Sequence, residues 1–160
     1  MPGLMASIRL LGFLISAYFQ MASSILAIYA KERLGASISD VALAVSAFYA
    51  TSAISNFLIG LFAKWRNPRG TLSMSLSLML MAPISYGLAR APLTLIAARS
   101  LEGFAFALYS TTALTLCSTS SSSPSERDAS IVAYTSSLAL GMMIGPAIGS
   151  LVVAGLGLRN

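Results

Sequence analysis

Five long apolar runs fill most of the sequence and constrain its fold more than any other feature. They cover residues 10–30, 41–63, 71–89, 93–117 and 129–158. A hydrocarbon core about 30 Å thick requires about 20 helical residues, and every run is about that long. The runs lack the period-two alternation of barrel strands, so the sequence predicts helices. We therefore expect an all-α, multi-pass transmembrane bundle of five spans in a single domain covering residues 1–160.

The composition supports a membrane protein over a soluble one. Hydrophobic residues make up 56% of the chain and charged residues only 9%, whereas an ordinary soluble domain has roughly 25% charged residues. The net charge is +5, and the basic residues lie mainly at the ends of the apolar runs. This placement is typical of anchoring at a membrane boundary. We expect a protein of the cell membrane whose surroundings are the lipid bilayer, with no nucleic-acid partner.

Enzymatic chemistry has few residues to work with. The chain contains no His and a single Cys, Cys117. The commonest metal ligand and general base is therefore missing, and zinc sites and Ser–His–Asp triads are excluded. We expect no catalytic activity, no metal and no cofactor.

Helix starts and turns separate the runs. Ser37 with Asp40, and Ser125 with Asp128, have the spacing of a capping box, with Asp in place of Glu. Each pair predicts the first turn of the helix that follows. The link at residues 90–92 is so short that the third and fourth spans must be antiparallel neighbours.

The distribution of basic residues favours a cytoplasmic amino terminus. In that orientation the inner segments carry five of them, Arg9, Lys64, Arg66, Arg69 and Arg127. The outer segments then carry four, Lys31, Arg33, Arg90 and Arg159. The positive-inside rule favours the side with more Lys and Arg, and most of the difference comes from the cluster after the second span.

Arg99 and Glu102 lie well inside the fourth apolar run. An ionisable side chain at the centre of a span costs about 2.5–3.5 kcal/mol on insertion scales, so it usually faces a bundle interior or a water-filled cavity. Positions i and i+3 share a helix face, so the two residues can pair. Two interpretations stay open. The pair is either a buried ion pair that ties the fourth span to its neighbours, or part of a polar cavity in which Glu102 carries a proton.

Other polar residues of the spans are candidates for lining the same cavity. They are Gln20 in the first span, Asn56 in the second and Tyr109 in the fourth. The alternative for each is a hydrogen bond between helices that serves packing alone.

The fifth run contains a ladder of small residues, Gly141, Gly145 and Gly149, at intervals of four. One helix face is thereby stripped of side chains, and another helix can approach it closely. Pro146 lies inside the ladder and predicts a bend there. This pattern favours packing or hinge architecture over a binding site.

Four segments together resemble the amino-terminal half of a major facilitator superfamily transporter. Residues 60–69, GLFAKWRNPR, are similar to the family's cytoplasmic signature, although Lys64 stands where the family has an acid. Residues 99–103, RSLEG, resemble its Arg-x-x-x-Gly motif. Residues 141–150, GMMIGPAIGS, resemble its antiporter signature, and residues 124–127, PSER, fit the loop before it.

The resemblance implies a secondary transporter that moves a small solute by alternating access, in proton-coupled export. It implies conformational or packing roles for residues of these motifs, namely Gly60, Lys64, Arg66, Arg69, Gly103, Gly141, Gly145, Pro146 and Gly149. Each half of such a transporter has six spans. We therefore expect a chain truncated after its fifth helix, which a missing carboxy-terminal half or partner chain completes. A non-transport scaffold that binds partner helices through its glycine face is the alternative.

Overall fold

The chain folds into five α-helices in a computed structural model that describes residues 2–62 and 67–155. In chain order they are α1 (Pro2–Leu34), α2 (Ile38–Phe62), α3 (Pro68–Leu88), α4 (Pro92–Thr119) and α5 (Pro124–Gly155). These two stretches contain no β-strand. The predicted all-α, multi-pass bundle is therefore confirmed.

Four of the helices are long and apolar enough to cross a membrane, namely α1 from Met5, α2, α3 and α5. Helix α4 has 28 residues, which is sufficient length, but it is not among the four. Its apolar character is diluted by Arg99, Glu102 and several hydroxyl side chains. Many of its residues are buried against other helices, so it does not need to present a continuous apolar surface.

The helix ends follow from local sequence signals, and one prediction of them was wrong. The Ser37 amide donates to the Asp40 carboxylate at 2.9 Å, and the Asp40 amide donates to the Ser37 hydroxyl at 3.2 Å, so this capping box is confirmed. Helix α5 begins earlier than the predicted Ser125–Asp128 pair. Its first residue is Pro124, and proline is well suited to the first position of a helix. The Ser123 hydroxyl caps this start by accepting from the Glu126 amide at 3.2 Å.

The chain divides into two compact units. The first, here called the terminal unit, comprises Met1–Tyr29 and Leu116–Asn160. The second, called the central unit, comprises Ala30–Thr115. The terminal unit pairs α1 with α5, and the central unit contains α2, α3 and most of α4. The predicted end of the fifth span, at residue 158, lies outside the described residues.

Close backbone approach organises the central unit. Gly103 on α4 lies against the Phe48 carbonyl of α2, with no room for a Cβ between them. This contact brings the polar face of α4 towards α2. The short link Ala89–Ala91 returns the chain from α3 to α4, so α3 also packs beside that face. The two neighbours therefore surround Arg99 and Glu102.

Candidate functional site

Three polar side chains meet in the central unit in a cluster here called the charged triad. They are the half-buried Tyr86 from α3 and the fully buried Arg99 and Glu102 from α4. Arg99 and Glu102 are one turn apart and therefore share a face of α4. Tyr86 lies near the end of α3, just before the short link, and it reaches the same face. The two charged side chains are 2% and 0% exposed.

The triad is held together on one oxygen atom. Arg99 Nη1 and the Tyr86 hydroxyl both donate to Glu102 Oε2. Arg99 Nη1 also lies 3.3 Å from the Tyr86 hydroxyl oxygen. The guanidinium carbon lies 4.9 Å from the centre of the Phe48 ring, in a cation–π arrangement. Each charged group is therefore compensated by a specific neighbour, as burial in an apolar bundle requires.

The other oxygen of Glu102 is arranged differently. Glu102 Oε1 is buried and has no hydrogen-bond partner within the parts of the chain that the structure describes. A carboxylate with two donors on one oxygen and none on the other can accept a proton at the vacant oxygen without disturbing the existing bonds. Protonation would remove the negative charge beside Arg99, which would leave this buried cation with neutral neighbours such as Tyr86 and Phe48. Such a cation favours a counter-anion or a rearrangement of the helices.

Asn56 on α2 forms side-chain hydrogen bonds to α4. Its side-chain oxygen accepts from the Thr111 hydroxyl at 2.7 Å and from the Ser110 hydroxyl at 3.3 Å. These bonds tie α2 to α4 and correspond to the packing alternative for Asn56. Tyr109 is fully buried on α4. It lies about 10 Å along the helix axis from Glu102, two turns away.

The glycine ladder of α5 lies against α1 within the terminal unit. A Cβ placed on Gly145 would lie 2.6 Å from the Ala17 carbonyl oxygen and 2.6 Å from Gln20 Cβ. On Gly141 it would clash with Ser16 and Phe13, and on Gly149 it would lie 3.1 Å from the Met21 carbonyl oxygen. The glycine ladder therefore packs directly against the α1 backbone, and this contact surface is here called the seat of α1.

Gln20 and Pro146 lie at or beside this seat. Gln20 is half-buried on α1, with its Cβ facing Gly145. Pro146 is exposed, and α5 continues through it as one helix.

The structure describes only part of the segment 60–69, which resembles the family's cytoplasmic signature. Gly60 lies exposed in the last turn of α2, with nothing close to where its side chain would be. Arg69 lies exposed in the first turn of α3, which the Asn67 side chain caps by accepting from the Gly70 amide at 3.0 Å. Lys64 and Arg66 lie outside the described residues.

Sequence reasoning missed two members of the site, Tyr86 and Phe48. Both lie on other helices than the charged pair, and neither residue type marks a polar site on its own. The short link did not indicate Tyr86 either, because Tyr86 lies four residues before Arg90 whereas Arg99 lies nine residues after it. Across the same described stretches, no group of three or more His, Cys, Asp or Glu residues could hold a metal ion.

One comparison with known proteins gave a match. A family model described as Major Facilitator Superfamily matches residues 9–160, which is nearly the whole chain. No curated protein and no solved structure matches it. The matched region includes the charged triad, the glycine ladder and the seat that the ladder provides for α1.

Proposed function

The chain belongs to the major facilitator superfamily, whose members are membrane secondary transporters, and on that premise we propose that it moves a small solute by proton-coupled alternating access. Glu102 carries the proton, and Arg99 and Tyr86 hold its charged state. The direction we propose is export, with the solute exchanged for protons, because the fifth helix carries the antiporter-like glycine and proline pattern.

The observation that carries this proposal is the charged triad. A pair that served only to bind helices together would be expected to satisfy both carboxylate oxygens, since a half-satisfied buried group costs stability. Glu102 has one bonded oxygen and one that makes no hydrogen bond with the described residues. Ionisable residues inside a membrane are functional by default, with a partner close by.

Coupling follows from electrostatics at this pair. When Glu102 is ionised, Arg99 is neutralised within the bundle and the resting arrangement is stable. When Glu102 takes up a proton, Arg99 loses its negative counter-charge and keeps only neutral neighbours such as Tyr86 and Phe48. A helix rearrangement that gives Arg99 water or another anion then becomes favourable, and this is the state change that alternating access requires.

The proposal includes a second set of helices, either continuous with this chain or supplied by a partner, that closes the central site. It also places the amino terminus in the cytoplasm and the protein in the cell membrane, on the basic-residue distribution. The scaffold alternative has less support, because the glycine ladder that would bind a partner helix is already occupied by α1.

The test is proton-coupled flux by the complete transporter in proteoliposomes. We expect Glu102→Gln and Arg99→Gln to abolish coupled flux while the protein still folds. Matched controls are Asp128→Asn and Arg127→Gln, which remove the same charges from an exposed surface pair. Normal coupled flux in both triad variants would contradict the proposal and reduce the pair to structural packing.

A further inference from the structure

A polar cleft opens at one end of the terminal unit. It is formed by the first turns of α1, the segment that follows α4 and the start of α5, and its volume is about 540 Å³. Small-molecule sites have volumes of about 300–1,000 Å³. The polar and charged residues that line it include Arg9, Ser120, Ser122, Glu126 and Ser130. None of them belongs to the charged triad.

The two charges in the polar cleft do not neutralise each other. Glu126 Oε2 accepts from the Ser122 amide at 2.9 Å, which fixes the carboxylate at the cleft wall. Arg9 makes no hydrogen bond or ion pair with any residue that the structure describes. The Ser120 and Ser122 hydroxyls likewise make no hydrogen bond there. The cleft therefore offers a cation, Arg9, and the Ser120 hydroxyl, while Ser122 lies beside the Glu126 carboxylate.

The depth of the polar cleft indicates what can reach it. Most of its lining residues lie just outside the ends of the first, fourth and fifth apolar runs of the sequence. Only Ala129 and Ser130 lie within a run, at the start of the fifth. The layer just beyond the hydrocarbon core contains the lipid headgroups. The Met5 and Ala129 side chains add an apolar edge to the cleft, where acyl chains would begin.

We propose that the polar cleft binds the headgroup of a zwitterionic membrane phospholipid that carries a primary ammonium group, as in phosphatidylethanolamine. The phosphate lies against Arg9, whose planar guanidinium suits phosphate oxygens, and against the Ser120 hydroxyl. The ammonium donates to Glu126. A purely anionic headgroup would leave the Glu126 charge uncompensated, and a trimethylated ammonium has no N–H to donate. This inference does not depend on transport.

The first experiment needs no variant. The purified chain in lipid-free detergent micelles is titrated with phosphatidylethanolamine, phosphatidylcholine or phosphatidylglycerol of identical acyl chains, and bound lipid is counted by native mass spectrometry. We expect phosphatidylethanolamine to bind about tenfold more tightly than the other two, the effect of one charge-assisted hydrogen bond. Equal affinities for the three lipids would overturn the proposal.

A fourth titration distinguishes the membrane lipid from a soluble source of the same chemistry. Glycerophosphoethanolamine has the headgroup without acyl chains. We expect it to bind at least tenfold more weakly than the lipid, because it cannot use the apolar edge of the cleft. Equal affinity would replace the lipid by a soluble phosphoethanolamine compound and overturn the lipid assignment.

Two variants then test which part of the headgroup each charged residue binds. With Glu126→Gln, which can still accept from the Ser122 amide, we expect phosphatidylethanolamine to fall to the affinity of phosphatidylcholine. With Arg9→Gln, all three lipids should weaken about tenfold, since each carries the phosphate. Asp128→Asn and Arg127→Gln are the matched controls, because they remove the same charges outside the cleft. Retention of the preference in Glu126→Gln, or equal losses in the controls, would contradict the assignment.

Discussion

The seat of α1 on the glycine ladder makes a graded prediction for alanine substitutions along α5. At Gly145 the added methyl would lie 2.6 Å from the Ala17 carbonyl oxygen, whereas carbon–oxygen contacts are ordinarily about 3.3–3.6 Å. The two helices must therefore separate by about 0.7–1 Å, and a gap of this size forfeits about a quarter to a half of the packing attraction of the atoms along the seat.

The magnitude is the balance of two opposing effects. Overpacking of a tight contact costs about 1–3 kcal/mol, while Gly→Ala in a helix gains about 0.8–1 kcal/mol of intrinsic propensity. The contact at Gly145 is with backbone, which cannot rotate away, so the overpacking cost lies in the upper part of its range. We therefore expect Gly145→Ala to lose about 1–2 kcal/mol in net stability. Gly149→Ala should be near neutral, because its closest contact is 3.1 Å. Gly155→Ala should lose nothing, because nothing lies within 4 Å.

Cys117 provides the assay. It is the single Cys of the chain and is 1% exposed, so a thiol-reactive dye labels it only when the protein opens. Thermal unfolding in detergent should show a melting temperature about 2–8 °C lower for Gly145→Ala, using about 2–4 °C per kcal/mol. An unchanged melting temperature for Gly145→Ala, or an equal fall for Gly155→Ala, would refute the proposed seat.

Three further predictions concern the rest of the chain. If a second set of helices closes the central site, as proposed above, proteoliposomes that contain only this chain should show no solute uptake; uptake above that of empty liposomes would contradict this. Thr111→Val should lower stability by about 0.5–1.5 kcal/mol in the same dye assay, since Asn56 loses its closer donor, and an unchanged melting temperature would show that the bond contributes nothing. The Ser37 hydroxyl and amide lower the pKa of Asp40 below its ordinary value of 3.8. A lowered folded-state pKa adds stability above the unfolded value and loses it as the pH falls through the folded value. Asp40→Ala should therefore lower the melting temperature at neutral pH, and its difference in melting temperature from the unaltered chain should shrink below pH 3.8. A melting-temperature difference that does not depend on pH would contradict the cap.

Local features of this fold were predictable because they depend on residues close in the chain. The capping box at Ser37 and the pairing of Arg99 with Glu102 follow from spacing on one helix, and both are present. The start of α5 was predicted two positions late, at Ser125, because the sequence offered two serines at suitable spacing. Pro124 and the Glu126 carboxylate decide between them in favour of Ser123.

Contacts between distant parts of the chain could not be read from periodicity. The glycine ladder indicates that some helix approaches closely, but it does not say that this helix is α1. The sequence marked Asn56 as a polar residue of its span, but it did not indicate that two α4 hydroxyls donate to its side chain. Tyr86 and Phe48 complete the charged triad and its cation–π contact from helices whose register no sequence signal specified.

The central claim, that Glu102 takes up and releases a proton inside the helix bundle, is tested most directly by infrared spectroscopy of the reconstituted chain as a function of pH. Protonated carboxylic acids have a carbonyl stretch that ionised carboxylates lack. We predict a band that appears as the pH falls, that is absent in Glu102→Gln and that persists in Asp128→Asn. A titrating spectrum identical in the unaltered chain and in Glu102→Gln would contradict the account.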